Sequence, residues 1–273
     1  MPTEKQSISN KKLSIIILAA GEGKRMHLKT PKVLQKILGK PIILFVVELA
    51  ENIKTDETII VVGKNAKEIK TVIGNRVKYA VQSVPRGTGD ASKKGIEIST
   101  NNNVLILCGD VPLLQKDTIL KLLQYHNKTK ADLTFLSCHM KNPFGYGRII
   151  RDENKNVLGI VEHTDATIEE QKIKEMNAGV YYGKKTLILS ALNKITKQNR
   201  QGEYYLTDVV GEMLKKREKV VALKIHNEKE IMGINSKSDL IKARKIAKDN
   251  KPRRTFTSQQ HKKIKTNTEC LKY

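Results

Sequence analysis

Two glycines and three cations follow the first apolar run of the chain, and together they could bind phosphate. The segment SIIILAAGEGKRM places Gly21 and Gly23 directly after a β-branched run. Lys24 and Arg25 follow at once, and Lys32 comes seven residues after Arg25. Glycine lets backbone N–H groups approach phosphate oxygens closely, and the cations neutralise their charge. The segment therefore indicates a phosphate site, although a strand followed by glycines can also be an ordinary tight turn.

Two familiar phosphate-binding motifs are excluded at this position. The third glycine of G-x-G-x-x-G would fall at residue 26, where this chain has Met26, and G-x4-G-K-[ST] does not occur here. The three cysteines and six histidines show no C-x-x-C, H-x3-H or H-E-x-x-H spacing. We therefore expect reduced thiols and no zinc site.

Asp110 ends the apolar segment VLILCGD and could hold a divalent cation. A carboxylate at the end of a strand can hold Mg²⁺ against phosphate oxygens. The same aspartate could instead cap the turn that follows the strand. The residue type and its position alone leave both interpretations open.

These residues must be brought together by regular elements, and the sequence predicts an α/β fold. Short β-branched runs alternate with helix-period segments, which is typical of βαβ units and a Rossmann-like, mostly parallel, doubly wound sheet. Ligands of such sheets bind beyond the carboxyl ends of the strands. Residues 144–183 break the rhythm and predict a small antiparallel insertion. Strands are predicted at 14–18, 58–62, 77–81, 103–107, 133–137 and 220–225, and helices at 42–52, 66–73, 88–99, 116–128, 184–192 and 206–216.

Composition narrows the class of protein. The chain has 273 residues and a formal net charge of +23, but only 4% aromatic residues and no tryptophan. Nucleic-acid binders interleave arginines with aromatics, so a nucleic-acid partner is disfavoured. No apolar run approaches the ~20 residues of a membrane span, and residues 1–12 lack a secretory pattern. We expect a cytoplasmic protein with no membrane insertion, a disordered segment 1–12, one domain over 13–248 and a basic, disordered tail over 249–273.

A series of segments follows one order and spacing along the chain. It begins with L-x-A-G-x-G-x-R-M and P-K-V-L and continues with VQSVPRGTGDA, CGDVPL, GYGRI, GIVEHTDA, MNAGVY, QGEYYLTD and GINSKSDL. The first two resemble the signature of sugar nucleotidyltransferases. The whole series, over residues 13–245, is similar to the uridylyltransferase half of the bacterial bifunctional N-acetylglucosamine-1-phosphate uridylyltransferase/glucosamine-1-phosphate acetyltransferases. The resemblance implies the nucleotide-diphospho-sugar transferase fold.

The resemblance also implies a reaction, in which a Mg²⁺-dependent enzyme makes UDP-N-acetylglucosamine, a precursor of peptidoglycan, and pyrophosphate. Its substrates would be UTP and N-acetylglucosamine 1-phosphate, whose phosphate would attack the α-phosphorus in line. Catalysis would be chiefly positioning and charge neutralisation, and a phosphate that is largely dianionic at neutral pH needs no general base. Two alternatives stay open: another sugar or alcohol phosphate or another nucleotide, and a noncatalytic RNA-binding protein on the same scaffold.

Individual residues take roles from the same resemblance. It assigns catalysis to Arg25 and Lys32, and Mg²⁺ binding to Asp110 and Asn235. The amide of Gln82 can donate and accept at once, which suits the imide edge of uracil. Tyr205 and Thr207 could also be ordinary helix-start residues, and Asn235 a turn or N-cap residue. The implied nucleotide-binding residues are Leu18, Ala19, Ala20, Gly21, Gly23, Gln82, Gly87 and Thr88, and the implied sugar-phosphate-binding residues are Gly147, Glu162, Asn177, Tyr205 and Thr207.

The chain departs from the pattern of the subfamily at single positions and at its length. Cys108 stands where a tyrosine is usual, Lys24 and Ala178 where threonines are usual, and Asp90 where histidine is frequent. Nothing in the sequence resembles the hexapeptide-repeat β-helix of the bifunctional enzymes. We therefore do not expect acetyltransferase activity, and a separate acetyltransferase could be needed in the pathway.

Overall fold

Buried β-branched runs form the centre of the main sheet, which has helices on both faces. The computed structural model describes residues 12–21, 23, 26 and 30–249. The predicted disordered segment 1–12 and tail 249–273 lie outside these residues, apart from Lys12 and Asp249, and stay predictions. No helix in the described part of the chain is both long enough and apolar enough to cross a membrane.

The six predicted strands and six predicted helices all occur, with ends within two residues of the predicted ones. Three further strands, between residues 148 and 184, form the predicted antiparallel insertion. The structure adds two short strands, a short helix and a last helix that were not among the predicted elements. The strands are β1 (Leu13–Ala19), β2 (Lys36–Ile37), β3 (Lys40–Pro41), β4 (Glu57–Val62), β5 (Lys78–Val81), β6 (Asn103–Cys108), β7 (Leu133–His139), β8 (Arg148–Arg151), β9 (Val157–Val161), β10 (Glu175–Lys184) and β11 (Val220–Ile225). The helices are α1 (Ile42–Ile53), α2 (Ala66–Ile73), α3 (Thr88–Ile98), α4 (Lys116–Thr129), α5 (Ile168–Gln171), α6 (Lys185–Leu192), α7 (Asp208–Lys215) and α8 (Lys237–Asp249).

The order of strands in the main sheet is β11-β7-β10-β6-β1-β4-β5. Strand β1 pairs in parallel with β4 on one side and with β6 on the other. Strand β10 runs antiparallel between β6 and β7, and the hairpin of β8 and β9 is attached to it. The predicted fold class is confirmed, but the antiparallel part is continuous with the main sheet, because β10 is inserted into it.

Alternate residues of the central strand, β1, pack into two separate hydrophobic cores. Ile15 and Ile17 pack with the buried faces of α1, α2 and α4, whereas Ile16 packs with α3, α6 and α7. This period of two is what a strand covered on both faces requires. Helix α8 belongs to a third, smaller cluster, in which Leu240 and Ala243 contact the region of Ile37 and Leu113.

Gly95 gives the sharpest test of this packing. A Cβ atom at Gly95 in α3 would lie 2.5 Å from Ile16 Cγ2 and 3.0 Å from Val61 Cγ2. Gly95→Ala should lower the free energy of unfolding by about 1 to 3 kcal/mol, because the methyl groups of two β-branched strand residues must shift. Urea denaturation measures the difference.

Gly211 in α7 is the matched control. No atom lies within 4 Å of a Cβ built there, so Gly211→Ala should raise the free energy of unfolding by up to about 1 kcal/mol through helix propensity. Equal effects of the two substitutions would contradict the close contact of α3 with the sheet.

Candidate active site

A cleft opens where the carboxyl ends of β1, β4 and β6 meet. Its volume is about 780 Å³, within the range of small-molecule sites. The described residues that line it come from the ends of β1 and β6, from the segment after β5, from the turn after β9 and from four other stretches, namely 32–33, 144–145, the region of 201–205, and 235. The predicted site residues among them are Leu18, Ala19, Ala20, Gly21, Gly23, Lys32, Gln82, Gly87, Thr88, Asp110, Glu162, Tyr205 and Asn235.

Three other predicted residues, Gly147, Asn177 and Thr207, are not among the residues that line the cleft but lie close to them. A Cβ atom at Gly147 would lie 3.5 Å from Glu162 Oε2, and Asn177 N donates to Gly147 O at 2.9 Å. Thr207 is buried and contacts Glu162. These three residues therefore support the cleft wall. Arg25 lies outside the described residues, so its catalytic role stays a prediction.

Glycines after two strands let the chain pack closely against the end of β1. A Cβ atom at Gly63, after β4, would lie 2.7 Å from Ala20 O, and one at Gly109, after β6, would lie 2.9 Å from Leu18 O. Gly109 N also donates to Leu18 O at 2.9 Å. Larger residues would collide with backbone oxygens here, so the glycines hold Asp110 close to the loop after β1.

Lys32 brings together two residues that are far apart in sequence. Its Nζ atom donates to a carboxylate oxygen of Asp110, with which it forms an ion pair, and to Asn235 Oδ1 at 3.1 Å. The Lys32 and Asp110 side chains are only 15% and 17% exposed. One cation is therefore held by a carboxylate and an amide oxygen in a partly desolvated place, where charges interact more strongly than in water.

The chain before α8 is fixed against the end of β6, which sets the position of Asn235. Ile234 N donates to Asp110 O at 3.0 Å, and Asn235 N donates to Asp239 Oδ2 at 3.1 Å. The side chain of Ser236 accepts from Asp239 N at 3.1 Å, as an N-cap does. Because Ser236 provides this cap, the amide oxygen of Asn235 points at Lys32 instead of capping the helix.

The segment after β5 forms the second side of the cleft. Gln82 is 5% exposed, and its Nε2 atom donates to Gly87 O at 3.1 Å and to Asp90 Oδ2 at 2.7 Å. Thr88 Oγ1 accepts from Leu206 N at 3.0 Å. Gly87 has a φ of +106°, and a Cβ atom there would lie 2.5 Å from Tyr204 O. Glycine is required at this position, because both the backbone angle and the space exclude a side chain.

The turn after β9 forms the third side and carries a half-buried carboxylate. Glu162 accepts from Thr207 Oγ1 at 2.9 Å. Burial raises the pKa of Glu162, and the bond from Thr207 lowers it. Thr207 precedes α7 but makes no side-chain cap, so the structure favours its contact with Glu162 over a capping role. Tyr205 is 7% exposed, and burial raises its pKa to about 12.

Cys108 lies in the cleft wall beside the bulge of β10. Its Sγ atom is 3.5 Å from Gly179 O. Burial and the nearby charge of Asp110 raise the pKa of Cys108 to about 12, so the thiol stays protonated at neutral pH. It is therefore a poor nucleophile.

The sequence analysis missed several residues of the cleft. The sequence could have indicated these residues, because they stand inside the segments GIVEHTDA and QGEYYLTD, inside GYGRI or just before it. Phe144 and His163 form an edge-to-face pair with ring centroids 4.5 Å apart. The missed lining residues include Phe144, Gly145, His163, Thr164, Gln201 and Glu203.

Comparison with known proteins agrees with the geometry of the cleft. The nucleotidyl transferase family model matches residues 14–231. The bifunctional protein GlmU of Caldanaerobacter subterraneus subsp. tengcongensis is 45% identical over 232 residues, which are 85% of this chain and 50% of that protein. GlmU of Thermoanaerobacter pseudethanolicus is 46% identical over 235 residues, which are 86% of this chain and 51% of that protein. The chain thus spans about half the length of these curated relatives.

Solved structures share the fold at low sequence identity. A putative glucose-1-phosphate thymidylyltransferase from Bacillus anthracis, in complex with a sucrose, has a TM-score of 0.73 at 20% identity and covers 88% of this chain and 97% of its own. A UDP-glucose pyrophosphorylase complexed with UDP-glucose has a TM-score of 0.72 at 19% identity and covers 87% and 99%. The solved structures confirm the fold, and the family match and the GlmU relatives confirm the resemblance found in the sequence.

Asp208, at the start of α7 behind Glu162, should make stability depend on pH. Burial, together with Asp165 and Glu212, raises the pKa of Asp208 from 3.8 to about 6. The folded protein therefore holds a proton that the unfolded chain has lost, and this stabilisation disappears as the pH rises from about 4 through 6. Asp208→Asn should raise the free energy of unfolding by about 1 kcal/mol at pH 8, a value reduced by the partial exposure of the side chain, and by much less at pH 4.5.

Urea denaturation at the two pH values measures this effect. Asp117→Asn is the matched control, because Asp117 also lies in the first turn of a helix but is exposed. It should remove a favourable charge from the helix start and give no gain at pH 8. A loss of stability for Asp208→Asn at pH 8 would contradict the raised pKa.

Proposed function

Because the chain belongs to the nucleotidyl transferase family, we propose that it transfers the uridylyl group of UTP to N-acetylglucosamine 1-phosphate. The products are UDP-N-acetylglucosamine and pyrophosphate. The observation that carries the proposal is the single cleft in which Lys32, Asp110 and Asn235 meet the segment of Gln82 and the turn of Glu162. The identity of 45–46% to the matching half of GlmU proteins supports the choice of substrates.

The proposed reaction exchanges one bond to phosphorus for another. An oxygen of the sugar phosphate forms a bond to the α-phosphorus of UTP, and the bond from that phosphorus to the bridging oxygen of pyrophosphate breaks, with its electron pair leaving on pyrophosphate. The chain must hold the two substrates in line and neutralise their charge. Lys32 supplies a partly buried positive charge beside the glycine loop after β1. Backbone N–H groups of the loop at Gly21 and Gly23 add further donors.

Asp110 and Asn235 fit a magnesium ion. Their oxygens already converge on one cation, the ammonium group of Lys32, and carboxylate and amide oxygens are ligands that Mg²⁺ accepts. No group of three or more histidine, cysteine, aspartate or glutamate side chains suited to a metal occurs in the described part of the chain. Two protein ligands would leave positions for phosphate oxygens and water. When bound, Mg²⁺ would withdraw charge from those oxygens.

The turn after β9 is proposed to hold the sugar. Glu162 keeps one oxygen on Thr207 and can accept from a sugar hydroxyl with the other. Gly147 leaves room beside Glu162, because a Cβ atom at this position would lie 3.5 Å from Glu162 Oε2. The same Cβ atom would also be too close to Ile160 Cγ2, at 2.9 Å. Asn177 holds the backbone of Gly147. These residues thus shape a polar wall for the hexose.

We place the reaction in the cytoplasm, where UTP is available.

Release of pyrophosphate tests the proposal. Purified protein with Mg²⁺, UTP and N-acetylglucosamine 1-phosphate should release pyrophosphate, and glucose 1-phosphate, glucosamine 1-phosphate, CTP and ATP should be poor replacements. Asp110→Asn and Lys32→Met should each lower kcat/KM by at least roughly a hundredfold, because the first removes the carboxylate ligand proposed for Mg²⁺ and the second removes a positive charge beside the phosphates. Removal of Mg²⁺ with a chelator should abolish release.

The matched controls are exposed residues of the same type. Asp117→Asn in α4 and Lys36→Met in β2 should leave the activity unchanged, because both side chains are exposed. Turnover with a different sugar phosphate would overturn the substrate assignment and keep the reaction class. Absence of turnover with every pair would contradict the proposed function.

A further inference from the structure

The side-chain amide of Gln82 has both of its N–H bonds committed within the protein. Nε2 donates one hydrogen to Gly87 O at 3.1 Å and the other to Asp90 Oδ2 at 2.7 Å. Both partners are oxygens, a backbone carbonyl and a carboxylate, which accept from an amide. A flipped amide would place Oε1 against two acceptors, so the partners fix the orientation.

This orientation leaves one hydrogen-bonding group of Gln82 for a ligand. Gln82 lines the cleft, and within the described part of the chain no protein donor approaches its Oε1 atom. The side chain is 5% exposed, so water competes weakly for this oxygen. Gln82 therefore presents an acceptor, and not a donor, to a base in the cleft, so the expectation that its amide would both donate and accept toward uracil is wrong.

We propose that Asp90 is a positioning residue that makes the cleft select a pyrimidine carrying an N–H group at position 3. The proposal rests on the proposed function and deepens it, since it names the residue that sets base preference. The N3–H group of uracil can donate to Gln82 Oε1. Cytosine has a lone pair at N3, so its ring nitrogen and Oε1 would be two acceptors facing each other. Two buried acceptors that face each other both lack a hydrogen bond. Binding sites reject ligand analogues through this loss of hydrogen bonds.

The carboxylate of Asp90 holds the Gln82 amide more firmly than the backbone carbonyl of Gly87 does. The bond to Gly87 O is the longer of the two, at 3.1 Å, and the bond to the Asp90 carboxylate is charge-assisted and shorter, at 2.7 Å. Asp90 stands in the first turn of α3, whose start is itself fixed by Gly89 N donating to Tyr204 O at 2.8 Å. The carboxylate is thus held by an element that does not need the base to be present.

Binding of UTP and CTP, measured separately by calorimetry with Mg²⁺ and without sugar phosphate, tests the role of Asp90. Wild-type protein should bind UTP more tightly than CTP. Asp90→Ala should lower the ratio of the two affinities about tenfold, because the amide of Gln82 can then turn and donate to cytosine N3. Asp90→Leu should do the same and keeps the measurement possible if the alanine variant does not fold. Asp90→Asn retains an oxygen that can accept from Nε2 and should keep most of the preference.

Glu97→Ala is the control on the same helix, because Glu97 is exposed and its ion pair is with Lys94 of the same helix. It should leave the ratio unchanged. A purely structural role of Asp90 would weaken UTP and CTP equally, and that result, or a wild-type protein without preference, would overturn the inference. The ratio comes from binding alone, so a failed transfer reaction would overturn the proposed function without deciding the role of Asp90. An unchanged ratio in an active enzyme would overturn the role of Asp90 alone.

Discussion

The parallel pairing of β1 with β4 and β6 is the constraint on which the candidate site depends. Each pairing joins six residues in register and brings the carboxyl ends of the three strands to one edge. Polar residues that follow these strands then share a small volume, although they are far apart in sequence. Gly63 and Gly109 permit the close approach of these strand ends, because a side chain at either position would meet backbone oxygen within 3 Å. The sheet therefore creates the cleft, and the loops decide what it can bind.

One segment of the chain connects the two outer sides of this cleft. Tyr204 pairs through its backbone with Arg86 and Gly89, Leu206 donates to Thr88, and Thr207 donates to Glu162. The walls assigned to the base and to the sugar are therefore attached to the same few residues. Such attachment fixes the distance between two substrates before they bind, and positioning of this kind is a large part of the catalysis of group transfer.

The strands and helices were predictable because their apolar residues repeat with the periods of a strand or a helix. In β1, for example, Ile15 and Ile17 pack into one core and Ile16 into the other. Helix α8 was missed because few of its residues, Leu240 and Ala243 among them, are buried. The contact of Lys32 with Asn235 joins residues 203 positions apart, which spacing alone cannot reveal. The resemblance to a family assigned Lys32 and Asn235 to one site, and the structure supplied their contact. Only the structure supplied the orientation of the Gln82 amide, which depends on hydrogen bonds after folding.

Tracing of labelled phosphorus most directly tests whether this cleft transfers a nucleotidyl group. UTP labelled at the α-phosphorus and UTP labelled at the γ-phosphorus would each be incubated with the protein, Mg²⁺ and N-acetylglucosamine 1-phosphate, and the products separated. The α-label should appear in UDP-N-acetylglucosamine and the γ-label in pyrophosphate. Transfer of the γ-label to the sugar phosphate, or recovery of both labels in unreacted UTP, would contradict the account.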